Sequence, residues 1–279
     1  MKKLVLESMQ KLDFFVWWLA LAFFLGSSVI MWWNLTESFL WASWIIVLMF
    51  FVWFSIELIL ASLRWVKGLW KITWFITNWP EALVLIVWLI WGDVLFAAST
   101  PLGSNLMNPV LLLTALIITG YLIKLKKFNH KVFFSVWFLL SALFAIVFFL
   151  IPESYYILWI ILAWLVSIVL FMKKIEQTEN DEEEEKVSKF YLPLGIIILL
   201  ISWYFLDPVV SFTADASLAP KWIIWFLVLA TLTSWPEFKS VLWLLKRSKI
   251  TDAFENILVS NITNLWLAIA WVVIWLIIK

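Results

Sequence analysis

Two glutamates stand where an ionised side chain is costly. Glu81 in ITNWPEALVLIV (76–87) and Glu237 in LTSWPEFKSVLW (232–243) each follow a proline inside an apolar run. A charge at mid-membrane costs roughly 3 kcal/mol or more. The surroundings match at an offset of 156 residues: Thr77, Trp79 and Pro80 meet Thr233, Trp235 and Pro236. At the same offset Ser104-Asn105 meets Ser260-Asn261, and Asn108 meets Asn264. Both halves therefore read T-x-W-P-E, then S-N-x-x-N beginning 23 residues after the glutamate. Apolar identities between membrane helices are cheap. Matched prolines and polar residues inside apolar runs are rare, and a single shared offset points to an internal duplication.

The residue types suit cation binding. Ser104 and Asn108 are four apart and share a helix face, as do Ser260 and Asn264. With Glu81 and Glu237, each half offers carboxylate, hydroxyl and amide oxygens, the ligands of hard cations such as Na⁺ and Ca²⁺. Pro80 and Pro236 each remove a backbone donor, which frees carbonyls near Ile76/Thr77 and Leu232/Thr233 to face an ion. The stretch STPLGSNLMNP (99–109) carries Pro101, Gly103 and Pro109, which are expected to loosen its helix. Two carboxylates offer about −2, which one divalent ion, two protons or two monovalent cations neutralise. Either load lets the site cross a low dielectric, which is a physical basis for exchange. A purely structural role, hydrogen-bonding helices together, would suffice for one Ser or Asn but not for two matched Pro-Glu motifs. With no cysteine and one histidine, His130 in a Lys-rich loop read as surface, soft metals are disfavoured. No nucleophile–base set speaks for an enzyme, and no bound cofactor is implied.

The elements that must position these residues are membrane helices. The chain has 279 residues, 65% hydrophobic and only 14% charged, more apolar surface than a soluble protein of this size can bury. Continuous apolar runs of about 20 residues match a hydrocarbon core of about 30 Å and exclude a barrel. The fold class is therefore an all-α polytopic membrane protein. Nine spans are expected, near 14–33, 38–63, 69–91, 94–122, 131–151, 153–172, 190–206, 221–246 and 252–278. The first is read as a retained helix, not a removed signal. With the N-terminus inside, 17 of the 20 Lys and Arg fall in inside loops, and only Lys221 and Lys279 outside. That bias sets the orientation. The outside loops are then 34–37, the turn near Asp93, 151–154 and DPVVSFTADASLAP (207–220). Asn34-Leu-Thr36 also fits a glycosylation acceptor. Many of the 24 tryptophans sit near span ends, as interfacial anchors do.

KKIEQTENDEEEEKVSK (173–189) is the one polar linker, read as a solvated cytoplasmic segment. It separates a first membrane half, 1–172, with an extra N-terminal helix and repeat 1 (about 77–109), from a second, 190–279, with repeat 2 (about 233–265). An odd number of crossings separates corresponding spans, so the repeats have inverted topology. Secondary transporters use that arrangement, with a midplane site built by interrupted helices from both halves.

TNWPE (77–81) and TSWPE (233–237), with GSNLMN (103–108) and VSNITN (259–264), resemble the α-repeats of the cation/calcium antiporter superfamily, which includes sodium/calcium and calcium/proton exchangers. The resemblance spans about 32 residues in each half. It implies secondary active exchange of Ca²⁺, or a similar divalent ion, for Na⁺ or H⁺. It implies Glu81 and Glu237 as principal ligands, side-chain ligands from Ser104, Asn108, Ser260 and Asn264, and carbonyls from Thr77 and Thr233. It also implies alternating access by sliding of the first helix of each half, 38–63 and 190–206.

The chain departs from the family pattern in places. Ile76 and Leu232 stand where glycines precede the threonines, Ser99-Thr100 and Glu255-Asn256 where Gly-Asn is usual, and Val259 replaces a glycine. Both repeats end on Asn, leaving Na⁺ or H⁺ coupling open. Five helices per half are usual in the family; two C-terminal ones are expected to be missing here, so either the core is reduced or a homo-oligomer or second subunit is expected to complete it. The other partners are the lipid bilayer and metal cations, not nucleic acid, and the expected location is the plasma (inner) membrane. Glu57 and Lys239 lie about two turns inside their spans; they either pair, or Lys239 snorkels to the interface. Lys239 and Glu237, two apart, diverge on a helix. The alternative function is a degenerate, non-transporting relative acting as a membrane partner or regulatory subunit.

Overall fold

The computed structural model describes residues 11–63, 94–128, 130–172, 191–219, 230–246 and 248–279. In chain order its helices are α1 (Lys11–Ile30), α2 (Leu35–Leu63), α3 (Val94–Ile118), α4 (Lys131–Leu150), α5 (Tyr156–Phe171), α6 (Tyr191–Ser217), α7 (Ala230–Thr233), α8 (Trp235–Lys246) and α9 (Ile250–Ile278). There is no strand among the described residues. Among the described residues five stretches are long and apolar enough to cross a bilayer: Leu35–Ser55, Ala98–Ile118, Val132–Leu150, Tyr191–Ser217 and Ile250–Ile278. Trp17–Ile30 and Glu153–Val169 are shorter apolar helices. The described residues are thus helical, without strands, and their long apolar helices fit an integral membrane protein. The expected span at 69–91 lies outside the described residues.

The helices group into two compact units, each interleaved in sequence. In the first, α2 packs along α6 with α1 beside both. A small residue allows the close approach of α2 and α6, as is common between membrane helices. A Cβ on Gly195 would lie 2.8 Å from Ile59 Cγ1 and 3.0 Å from the Ser55 carbonyl oxygen. Aromatic stacking adds to the contact, Trp17 on Trp53 at 5.3 Å and Trp41 on Phe212 at 4.9 Å. Asn34 caps α2: its Oδ1 accepts the Glu37 backbone N–H (3.2 Å) and its Nδ2 donates to Glu37 Oε2 (3.1 Å). These are the reciprocal bonds of a helix start.

One expectation is corrected in this unit. Residues 207–217 are not an outside loop but the last turns of α6, which runs through Pro208. The structure buries Leu206, Val210, Thr213, Ala214 and Ser217, a helical spacing, on one face. The hydroxyls of Thr213 and Ser217 donate to the carbonyls four residues back, so their polarity is absorbed within the helix.

In the second unit α9 is central, packed against α3, α4, α5 and α8. Its apolar end sits among Phe148, Tyr156, Trp159 and Ala163, with Ala98 and Leu102 of α3 in the same core. The prolines of 99–109 do not interrupt α3, which is one continuous helix containing Pro101 and Pro109. Helices pass through proline where the freed carbonyl finds another donor, and α3 has such a donor, described below. Gly120 (φ 71°) and Ser248 (φ 63°) close α3 and α8 in the left-handed conformation. Backbone bonds from Tyr121 to Leu116 and from Lys249 to Leu244 complete those ends. Lys279 pairs with Glu153 and lies 4.4 Å over the Trp275 ring.

Candidate functional site

The second unit brings Ser104 and Asn108 of the first repeat together with Thr233, Glu237, Ser260 and Asn264 of the second in buried positions on packed helices. The arrangement starts from a broken helix. Pro236 cannot donate to the carbonyl of Leu232, four residues back, and the helix separates at Ser234 into α7 and α8. Thr233 is the last residue of α7. Glu237 lies in the first turn of α8 and is 1% exposed. A carboxylate there faces the favourable end of the helix dipole.

The partners come from α3. Thr233 Oγ1 lies 3.2 Å from the Ala230 carbonyl, to which it donates, and 3.2 Å from the Ser104 hydroxyl, with which it shares a hydrogen bond. One turn along α3, Asn108 Nδ2 donates to Ser260 Oγ (3.1 Å) and to Asn261 Oδ1 (2.9 Å) on α9. Residues 129 to 153 apart in sequence are thereby joined inside the protein. Ser104, Asn108, Thr233, Ser260 and Asn264 are all buried.

Several of these polar atoms find no hydrogen-bond partner among the described residues. They are Oδ1 of Asn108 and both amide atoms of Asn264 and of Asn105. Buried amides are nearly always bonded, and each orphan costs on the order of 1–3 kcal/mol. Amide oxygens, hydroxyls and a buried carboxylate, here carried on the mutually packed α3, α8 and α9, are the ligand types a hard cation takes. The donor set is all oxygen. Among the described residues no group of three or more His, Cys, Asp or Glu could hold a metal ion. Any cation here would rest mainly on neutral oxygens and Glu237.

Of the expected site residues, Ser104, Asn108, Thr233 and Ser260 are linked by hydrogen bonds, and Glu237 and Asn264 lie buried on the adjoining helices α8 and α9. Thr77 and Glu81 lie outside the described residues. Lys239 is half-buried on α8, and His130 is exposed at the start of α4. The side chain of Glu57, on α2, also lies outside the description.

Sequence reasoning missed two participants. Asn261 was visible inside the matched S-N-x-x-N motif, but the four-residue face passes it by. Ser141 on α4 carries no motif; it enters only because α4 packs against α9. No family model, curated protein or solved structure matches the chain.

Proposed function

We propose that the chain is a secondary active cation antiporter of the cation/calcium antiporter type, exchanging Ca²⁺ or a similar divalent ion for Na⁺ or H⁺. The observation that carries this reading is the buried oxygen cluster, in which Ser104 and Asn108 of one repeat bond Thr233 and Ser260 of the other beside the buried Glu237. Glu81 is its counterpart by repeat position. The two carboxylates balance one divalent ion or its exchange partners. That neutrality permits transit through a low dielectric and disfavours the doubly charged site.

The wider architecture in this reading is an inverted-topology repeat of about nine spans, with the N-terminus and acidic linker cytoplasmic and the protein in the plasma membrane. Alternating access then falls to α2 and α6, the first helices of the two halves. Their tight mutual packing at Gly195 supports treating them as one moving piece. A second copy or another subunit supplies any further helices the core needs.

Reconstitution in proteoliposomes tests the proposal. Calcium uptake driven by an outward sodium or proton gradient is expected, with the effective gradient naming the coupling ion. Glu237→Gln and Glu81→Gln are each expected to lower uptake at least a hundredfold. Wild-type protein with neither calcium flux nor calcium binding would rule out the exchanger and favour a non-transporting membrane partner.

A further inference from the structure

We infer that Ser141 and Asn261 are positioning residues that fix which atom of Asn108 faces the site. The inference rests on the cation-site reading above and adds to it a source of the site's preference for positive charge. An asparagine can present either a donor or an acceptor, and only its hydrogen-bond partners decide which. Around Asn108 the partners form a chain with one direction.

The chain starts at a backbone carbonyl, which can only accept. The Ser141 hydroxyl donates to the Phe138 carbonyl (3.1 Å). Its single proton is spent, so Ser141 Oγ can only accept from Asn261, and Asn261 Nδ2 donates to it at 2.8 Å. The second Nδ2 proton of Asn261 points to the Asn105 carbonyl (3.4 Å). That carbonyl lacks its usual helical donor because the residue four places on is Pro109. Two acceptors thus hold the Asn261 amide in one orientation, and its Oδ1 faces Asn108. Asn108 must answer with Nδ2, whose other proton goes to Ser260 Oγ. Its Oδ1 is left over, buried and without a partner among the described residues. The net effect is an Asn108 NH₂ occupied by Asn261 and Ser260 and a carbonyl oxygen left open to a ligand.

The arrangement is one-sided. At the repeat offset, Asn264 and Asn105 correspond to Asn108 and Asn261, yet none of their amide atoms is hydrogen-bonded among the described residues. Leu265 stands where Pro109 does, so no carbonyl is freed at the matching place. One repeat presents a pre-oriented oxygen, and the other an amide that remains free to choose.

Two readouts test this on the full-length protein, with Ser141→Ala breaking the chain and Ser141→Thr preserving a hydroxyl that both donates and accepts. The first needs no ligand: in calcium-free, Asn-labelled protein, NMR hydrogen exchange reports the Asn108 side-chain NH₂ protons. They are expected to be protected in wild type and Ser141→Thr, and to exchange about tenfold faster in Ser141→Ala. The second is calcium binding, expected about tenfold weaker in Ser141→Ala and restored in Ser141→Thr, at similar folded yield. Unchanged exchange in Ser141→Ala overturns the positioning role whatever calcium does. Binding equal in all three proteins also overturns it but leaves the cation site standing. Protected protons with no calcium binding by wild type instead reject the cation reading.

Discussion

Asn108 and Asn264 occupy the same repeat position, yet replacing each with leucine is expected to move stability in opposite directions. Leucine keeps the branch at Cγ and removes the amide. At Asn108 it deletes two hydrogen bonds, to Ser260 and Asn261, each contributing about 1 kcal/mol. It also strands Asn261 Oδ1 in the interior, at a further cost of about 1–3 kcal/mol. Removing Asn108's own orphan Oδ1 returns about 1–3 kcal/mol, so the expected net loss is roughly 2 kcal/mol. At Asn264, 0% exposed and with neither amide atom bonded among the described residues, nothing is lost. Removing two orphan polar atoms, at about 1–3 kcal/mol each, is expected to stabilise the calcium-free protein by about 2–6 kcal/mol. Thermal unfolding in lipid nanodiscs with chelator present reads both changes, and added calcium should stabilise the wild type but neither variant. If Asn264→Leu unfolds well below wild type in chelator, its amide is a structural tie and not a group held for a ligand. The reasoning from orphan atoms then fails.

Other outcomes follow from single contacts. A double-mutant cycle with Ser104→Ala and Thr233→Val is expected to show a coupling of about 1 kcal/mol in thermal stability, since the two hydroxyls share one bond. Additive effects would deny that contact. Gly195→Val drives side-chain carbons into Ile59 and the Ser55 carbonyl, so α2 and α6 must separate; a cysteine cross-link between these helices should form more slowly. Ser248→Gly relieves a left-handed φ of 63° and is expected to raise stability by up to about 1 kcal/mol, whereas Gly120→Ala, at φ 71°, lowers it by a similar amount in the same melt.

Much of the element pattern was legible because apolar runs of bilayer length leave a chain few choices. The spans at 131–151 and 252–278 match α4 and α9 within a few residues. The sequence misled where local turn chemistry and burial disagreed. The expected span ends at 206, but the buried face that follows carries α6 on to Ser217. Pro101 and Pro109 read as loosening, but α3 continues through both. In the site, Ser104, Asn108, Thr233 and Ser260 were legible because polar residues are costly in apolar helices and therefore conspicuous. Ser141 was not, because a lone serine that back-bonds to its own helix is ordinary in such a segment.

By itself the sequence determined that its apolar runs are long enough to cross a bilayer and that paired oxygen-bearing residues recur at one spacing, since composition and register are properties of the chain alone. Only the tertiary structure decided that Asn108 and Asn264 are not equivalent. The direction of a hydrogen-bond chain depends on which donors and acceptors meet. That meeting requires α3, α4 and α9 to pack, with Ser141 on one side of Asn261 and the carbonyl released by Pro109 on the other.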